Sequence, residues 1–161
     1  MRAVLATPTR FRSYQEGNVA IRQILYASQT DGPVSERECQ DILATSRRNN
    51  ERDGISGLLV YISNGTFLQV LEGPGAAIEN AMSRIKDDAR HYDVAVLIDR
   101  QRPAPHFTDW SMGYKTFHAA QLADFAGFKR IKNVNELKDL LPAGDAIFSV
   151  MTSIYDANRQ Y

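Results

Sequence analysis

Gly65-Thr66-Phe67-Leu68-Gln69-Val70-Leu71-Glu72-Gly73 is a run of apolar and β-favouring residues between glycines, with a primary amide at its centre. Its length and composition read as a buried strand. An amide inside such a strand must find partners, because an unpaired buried polar group costs roughly 1–3 kcal/mol. Ser63-Asn64-Gly65 just ahead is a hairpin signal, so residues 55–62 (ISGLLVYI) form the strand that pairs back on 66–72. Gly73-Pro74-Gly75 breaks the second arm.

Working outward, residues 22–28 (RQILYAS) read as a strand, followed by a turn at Thr30-Asp31-Gly32-Pro33. Ser35 with Glu38 three residues on is a capping-box pattern, opening a helix to about Arg52 that Asp53-Gly54 stops. Its stripe is Cys39, Ile42 and Leu43, extended by Ser46, Asn49 and Asn50. A second helix is expected over 76–90, with Ile78, Met82, Ile85 and Ala89 on one side. Residues 92–100 give a fourth strand. A fifth is expected over 109–117, with Trp110 and Met112 on one face and Ser111 on the other.

The order β-α-β-β-α-β plus one strand predicts an α+β fold of the ferredoxin-like plan, with both helices on one sheet face. Residues 118–161 read as helices (119–127, 134–141 and 143–158) that cover the other face. Ile147, Val150, Met151 and Ile154 form the stripe of the last. The expected division is an N-terminal arm over 1–20, poorly ordered; a ligand-binding domain over 21–117; and a helical extension over 118–161.

The chain has 161 residues, enough for one domain with a core that needs no staple. Nineteen basic and nineteen acidic side chains cancel, so charge supplies no argument for nucleic acid or an anionic membrane surface. Cys39 is the only cysteine, which rules out an internal disulfide and suits the cytoplasm. No apolar run is long enough to span a bilayer.

The phosphate-loop, dinucleotide and nucleophile-elbow signatures are missing. His91, His106 and His118 lack metal-ligand spacing, so no metal is expected. The loop Ser28–Pro33 has an acid and no arginine, unlike an acylphosphatase anion loop on the same plan. A better candidate is neutral. Tyr26 alternates with Ile24 on the first strand, and in this plan the first and third strands are central neighbours. Tyr26 and Gln69 would floor a cleft between the helices, walled by Ile42 and Ile85, with Asn49, Asn50 and Arg84 at a polar end. Aliphatic walls with a few placed polar groups suit a flat heteroaromatic ligand. Each residue also has a plainer reading: Gln69 on a solvated edge, Tyr26 in a core, the asparagines ending a helix, and Trp110 and Met112 as core.

Taken together, Tyr26-Ala27-Ser28, Ser46-Arg47-Arg48-Asn49-Asn50, Gly54-Ile55-Ser56-Gly57-Leu58-Leu59, Phe67–Gly73, Asp88-Ala89-Arg90-His91 and Trp110-Ser111-Met112 resemble the BLUF family, blue-light sensors that use FAD. The resemblance runs over about residues 20–117 in order, and the trailing helices look like those of short, stand-alone members. It implies a flavin held between the two helices: FAD, with FMN the alternative. It further implies that Tyr26 gives an electron and a proton to the excited flavin. Gln69 would lie between that phenol and the flavin N5 and C4 carbonyl. Asn50 would meet the C4 carbonyl/N3 edge, with Asn49 beside it. Ile42 and Ile85 would sandwich the ring, and Arg84 would lie near the C2 carbonyl. Asp88, Arg90 and His91 would meet the ribityl and phosphate part. Ser28, Trp110 and Met112 would form the outer shell.

The implied function is a non-enzymatic blue-light photoreceptor. Rearranged hydrogen bonds of Gln69 would signal through the sheet and trailing helices to a downstream protein, and a homo-oligomer is expected. The alternative is a flavin- or small-ligand-binding enzyme on the same fold.

Overall fold

The computed structural model describes residues 20–63, 65–109, 111–118 and 144–158. The N-terminal arm, Trp110 and the helices expected over 119–127 and 134–141 lie outside the described residues.

In chain order the elements are β1 (Ile21–Gln29), α1 (Glu36–Asp53), β2 (Ser56–Ile62), β3 (Thr66–Gly73), α2 (Gly75–Asp87), β4 (Tyr92–Arg102), β5 (Gly113–Phe117) and α3 (Gly144–Asn158). The sheet runs β4-β1-β3-β2-β5. Each neighbouring pair among the first four strands is antiparallel, as the ferredoxin-like plan requires. β5 adds to the β2 edge in parallel, which makes the sheet mixed.

Local chemistry sets the helix ends. The Ser35 side chain accepts from the Glu38 N–H, while Glu38 takes the Ser35 N–H, closing the capping box at the start of α1. Gly54 caps its end at φ +69°, a left-handed conformation that suits glycine. α2 stops at Asp87, short of the expected 90. Asp88 turns extended and its carboxylate accepts the Arg90 N–H at 3.0 Å, a local bond that competes with another helical turn. Ala89 therefore lies in a turn and not on the helix stripe. The fifth strand is also shorter than expected. Ser111 and Met112 sit in a bend before it, where side chains of α1 take their carbonyl groups. Strand alternation therefore does not assign their faces.

Both sheet faces are covered. Ile24, Tyr26, Leu59, Phe67 and Leu71 pack under Cys39 and Leu43 of α1 and Ile78, Ala81 and Met82 of α2. Leu25, Ala27, Leu58, Val60, Leu68 and Val70 pack under Ile147, Phe148 and Met151 of α3. The last helix thus takes the face that α1 and α2 leave bare. Burying each such side chain contributes about 1.5–3 kcal/mol, so the period-two alternation of β1, β2 and β3 specifies which residues face which layer.

Candidate functional site

Strand register builds the floor of the site. Val96, Tyr26, Gln69, Leu59 and Tyr114 lie in one row across β4, β1, β3, β2 and β5. Tyr26 and Gln69 are direct cross-strand partners on the α1/α2 face. Both are buried, at 3% and 4% exposure, so Gln69 does not face water. The Tyr26 hydroxyl donates to Gln69 Oε1. The other end of the amide donates to Met112 Sδ at 3.4 Å, a weak acceptor. The amide is thus held strongly at its oxygen and loosely at its nitrogen.

Above this pair lies a cavity of about 450 Å³, counting its open mouth. Tyr26, Ser28, Leu59, Phe67 and Gln69 line it from the sheet, Ile42 and Ser46 from α1, and Ile85 from α2. Asp88, Arg90 and His91 line it from the turn after α2.

Electrostatics differ between floor and rim. Burial, with the Asp88 carboxylate second, pushes the Tyr26 phenol well above its ordinary range, so it stays protonated. At the rim, Asp88 takes Arg90 in a two-pronged pair, with the shortest contact at 2.5 Å. That pairing holds the carboxylate below its usual pKa. Burial lowers His91, and its Nε2–H donates to Ile85 O at 2.8 Å, leaving Nδ1 as an acceptor. Among the described residues the Ser28 hydroxyl is fully buried, lines the cavity and has no hydrogen-bond partner.

The expected residues divide into two groups. Tyr26, Ser28, Ile42, Gln69, Ile85, Asp88, Arg90 and His91 meet in the cavity. Asn49, Asn50, Arg84 and Met112 do not line it. Asn49 is half-buried near the end of α1. Asn50 is buried and donates to Ser111 O at 2.9 Å. Arg84 is 43% exposed and pairs with Asp53 at 2.8 Å, joining the end of α2 to the end of α1. Arg52 and then Arg84 lower the Asp53 carboxyl to about 2. Met112 is buried in the same apolar layer as Tyr26, Leu59 and Phe67 and accepts from the Gln69 amide through Sδ. Trp110 lies outside the described residues.

Three lining residues escaped the sequence reading of the cleft: Ser46, Leu59 and Phe67. The signals were present. Ser46 is four residues after Ile42 on one helix face, Phe67 is two residues before Gln69, and Leu59 is its register partner. Arg47 also went unnoticed; its half-buried guanidinium donates to Met112 O at 3.0 Å.

Apolar walls, a phenol–amide pair and an unsatisfied hydroxyl fit a flat ligand with ring nitrogens and carbonyls. At the rim, the Asp88–Arg90 pair and the acceptor nitrogen of His91 fit a polar tail that carries hydroxyl groups. No group of three or more side chains among the described residues is arranged to hold a metal. None of their helices is long and apolar enough to cross a membrane.

Comparison with known proteins points the same way. The family model described as "Sensors of blue-light using FAD" matches residues 21–113, more than half of the chain. Photoactivated adenylate cyclase subunit beta of Euglena gracilis is 37% identical over 81 residues, half of this chain and 9% of that protein. The subunit beta-like protein FB of the same organism is 33% identical over 114 residues, 68% of this chain and 12% of that one. The chain thus spans about a tenth of the length of these curated relatives. Among solved structures, BlsA in its ground state matches with a TM-score of 0.60 at 27% identity, covering 76% of this chain and 86% of that one. BlrB in its dark state matches in fold with a TM-score of 0.62 at 24% identity, covering 83% and 99%.

Proposed function

The chain belongs to the BLUF family of blue-light sensors, and from that premise we propose that Tyr26 and Gln69 form its light-responsive pair beneath FAD. The family binds flavin, and the domain is a sensor, not an enzyme. The observation that carries the reading is the hydrogen bond from the Tyr26 hydroxyl to Gln69 Oε1 at the floor of the α1/α2 cavity.

When bound, the flavin supplies absorption of blue light and, once excited, the pull on an electron and a proton. The residues do the rest. Ile42 and Ile85 would bracket the ring, and Ser28, whose hydroxyl has no partner among the described residues, would offer it a bond inside the cavity. Arg90, whose guanidinium is paired with Asp88 at the mouth, would meet the diphosphate that distinguishes FAD from smaller flavins with the N–H groups that this pair leaves over. Asn50 and Arg84 would join the contacts only by turning from Ser111 O and Asp53. Tyr26 holds the transferable proton and aims it at Gln69. The amide has a donor end and an acceptor end, so rotating or tautomerising it exchanges what it presents to both neighbours. Its weak hold on Met112 Sδ leaves the bond to Tyr26 as the main one that such an exchange must break.

Magnitude limits the output. Reversing a two-state equilibrium from 1:99 to 99:1 takes about 5.5 kcal/mol, and one rearranged hydrogen bond supplies roughly 1–3. The switch therefore biases a contact with a downstream protein, or within a homo-oligomer, and leaves the fold intact. A cytoplasmic setting agrees with the single buried thiol.

The test is optical. The purified protein should be yellow and show a small red shift in blue light that reverses in the dark without any substrate. Colourless protein, or bleaching that needs a substrate to recover, overturns the reading. Denaturing the protein and identifying the released flavin by chromatography separates FAD from FMN.

A further inference from the structure

Glu72 is a buried carboxylate that the light-sensing site does not use. It lies three residues after Gln69 on β3, on the opposite face, and is 1% exposed. Glu72 Oε2 accepts the backbone N–H groups of His106 and Phe107, at 2.7 and 2.9 Å. Its Oε1 accepts from Gln23 Nε2 at 2.5 Å. Gln23 Oε1 in turn accepts from Arg100 Nε at 2.7 Å, and Arg100 Nη1 donates to Asp145 in the first turn of α3, also at 2.7 Å. Register again explains the alignment. Arg100, Gln23 and Glu72 form one row across β4, β1 and β3 on the α3 face.

The connection between β4 and β5 passes from one face to the other. Phe107 is buried in the α3 layer, with its ring 6.2 Å from Phe148, whereas Met112, five residues on, is buried in the α1/α2 layer. Its far end is held by Asn50 at Ser111 O, by Arg47 at Met112 O, and by the Gln69 amide at Met112 Sδ. Its near end is held by Glu72. A displacement at Met112 can thus reach α3 around the end of the sheet, without passing through a strand that is paired on both sides.

We propose that Glu72 is a positioning residue that couples this connection to α3, so that a change at the Gln69–Met112 contact is read at Asp145 and Phe148. The inference rests on Gln69 being the light-responsive amide. Four charged or amide groups stand in series, and the carboxylate on one side and the guanidinium on the other fix the orientation of the Gln23 amide between them. Glu72→Gln cannot preserve it. An amide oxygen kept for the two backbone N–H groups turns an NH₂ toward Gln23. Gln23 must then flip and present its own NH₂ to Arg100, a donor against a donor.

The test uses the full flavin-loaded chain and two readouts: the light-induced red shift, and the light-minus-dark difference in amide hydrogen exchange over residues 144–158. Wild type should show both. Glu72→Gln should keep the red shift and lose the exchange difference. Arg100→Met, which cuts the relay further from β3, should do the same and serves if the first variant folds poorly. A purely structural role would lower stability in both variants and leave the exchange difference in place, which overturns the proposal. So does a wild type that reddens with no change over 144–158. A wild type without a red shift overturns the photoreceptor reading itself.

Discussion

Gln69 and Glu72 stand three residues apart on the same strand, both buried, and live under opposite rules. On the α1/α2 face, the amide has one firm bond to Tyr26 and one loose bond to sulfur, beside an unpartnered hydroxyl on Ser28. On the α3 face, the carboxylate takes three N–H donors and its neighbours are paired in turn. The first arrangement is undersaturated and can exchange; the second is saturated and holds its shape. Burial alone therefore does not say whether a polar group is a switch or a bolt. The tally of its partners does.

Substitutions can break that contrast. The largest expected effect is on the signal. Gln69→Leu should keep the flavin and lose the red shift completely, since leucine has no amide to rearrange; an unaltered photocycle in its absorption spectrum would remove Gln69 from the mechanism. Tyr26→Phe should likewise stop productive photochemistry.

For stability the ranking inverts. Glu72→Leu leaves three buried donors without their acceptor and should destabilise the fold by about 3–5 kcal/mol, since each unsatisfied group costs roughly 1–3 and relaxation recovers part. Gln69→Leu strands only the Tyr26 hydroxyl and should cost about 1 kcal/mol. Urea unfolding of the two variants measures the difference, and equal losses would erase the contrast.

Gly57→Ala probes the strand between the faces. A Cβ there would meet Val70 O at 2.0 Å and the Met112 methyl at 3.3 Å, so β2 and β3 must separate beside Gln69. Overpacking of this kind costs typically 1–3 kcal/mol. Thermal melting should show it, together with faster dark recovery. Asn50→Ala should be milder, about 1 kcal/mol for the lost bond to Ser111 O, with a shifted dark spectrum or weaker flavin retention.

The smallest effects are in pH. His91 is lowered by burial, so its contribution to stability is complete above the unfolded pKa of about 6.5 and is lost as pH falls from there through the lower folded value. Tyr26 is raised by burial, so its contribution is complete below about pH 10 and is lost above it. The light response should show no titration near 10 while the protein stays folded; a midpoint there would mean a solvated phenol.

Most of the floor was legible in the chain. Alternation put Ile24 and Tyr26 on one face, and the strand order placed β1 beside β3, so the Tyr26–Gln69 contact followed from period and topology. Ile42 and Ile85 followed from helical spacing. The ends of elements were less legible. The pattern carried α2 on to residue 90, but a carboxylate two residues from a backbone N–H ended it at Asp87. The fifth strand starts only at Gly113 because side chains of α1 take the carbonyl groups of Ser111 and Met112.

By itself, the sequence determined which residues of the four long strands share a face, because hydrophobic periodicity and strand pleating are local and repeat along the chain. It also determined family membership, through segments spread from 21 to 113. Only the tertiary structure decided partners: Arg84 with Asp53, Asn50 with Ser111, and Glu72 with the backbone of His106 and Phe107. Those choices join positions 31 to 61 residues apart. A long polar side chain takes whichever complementary group the fold brings within about 3 Å, and no period in the chain encodes that arrival.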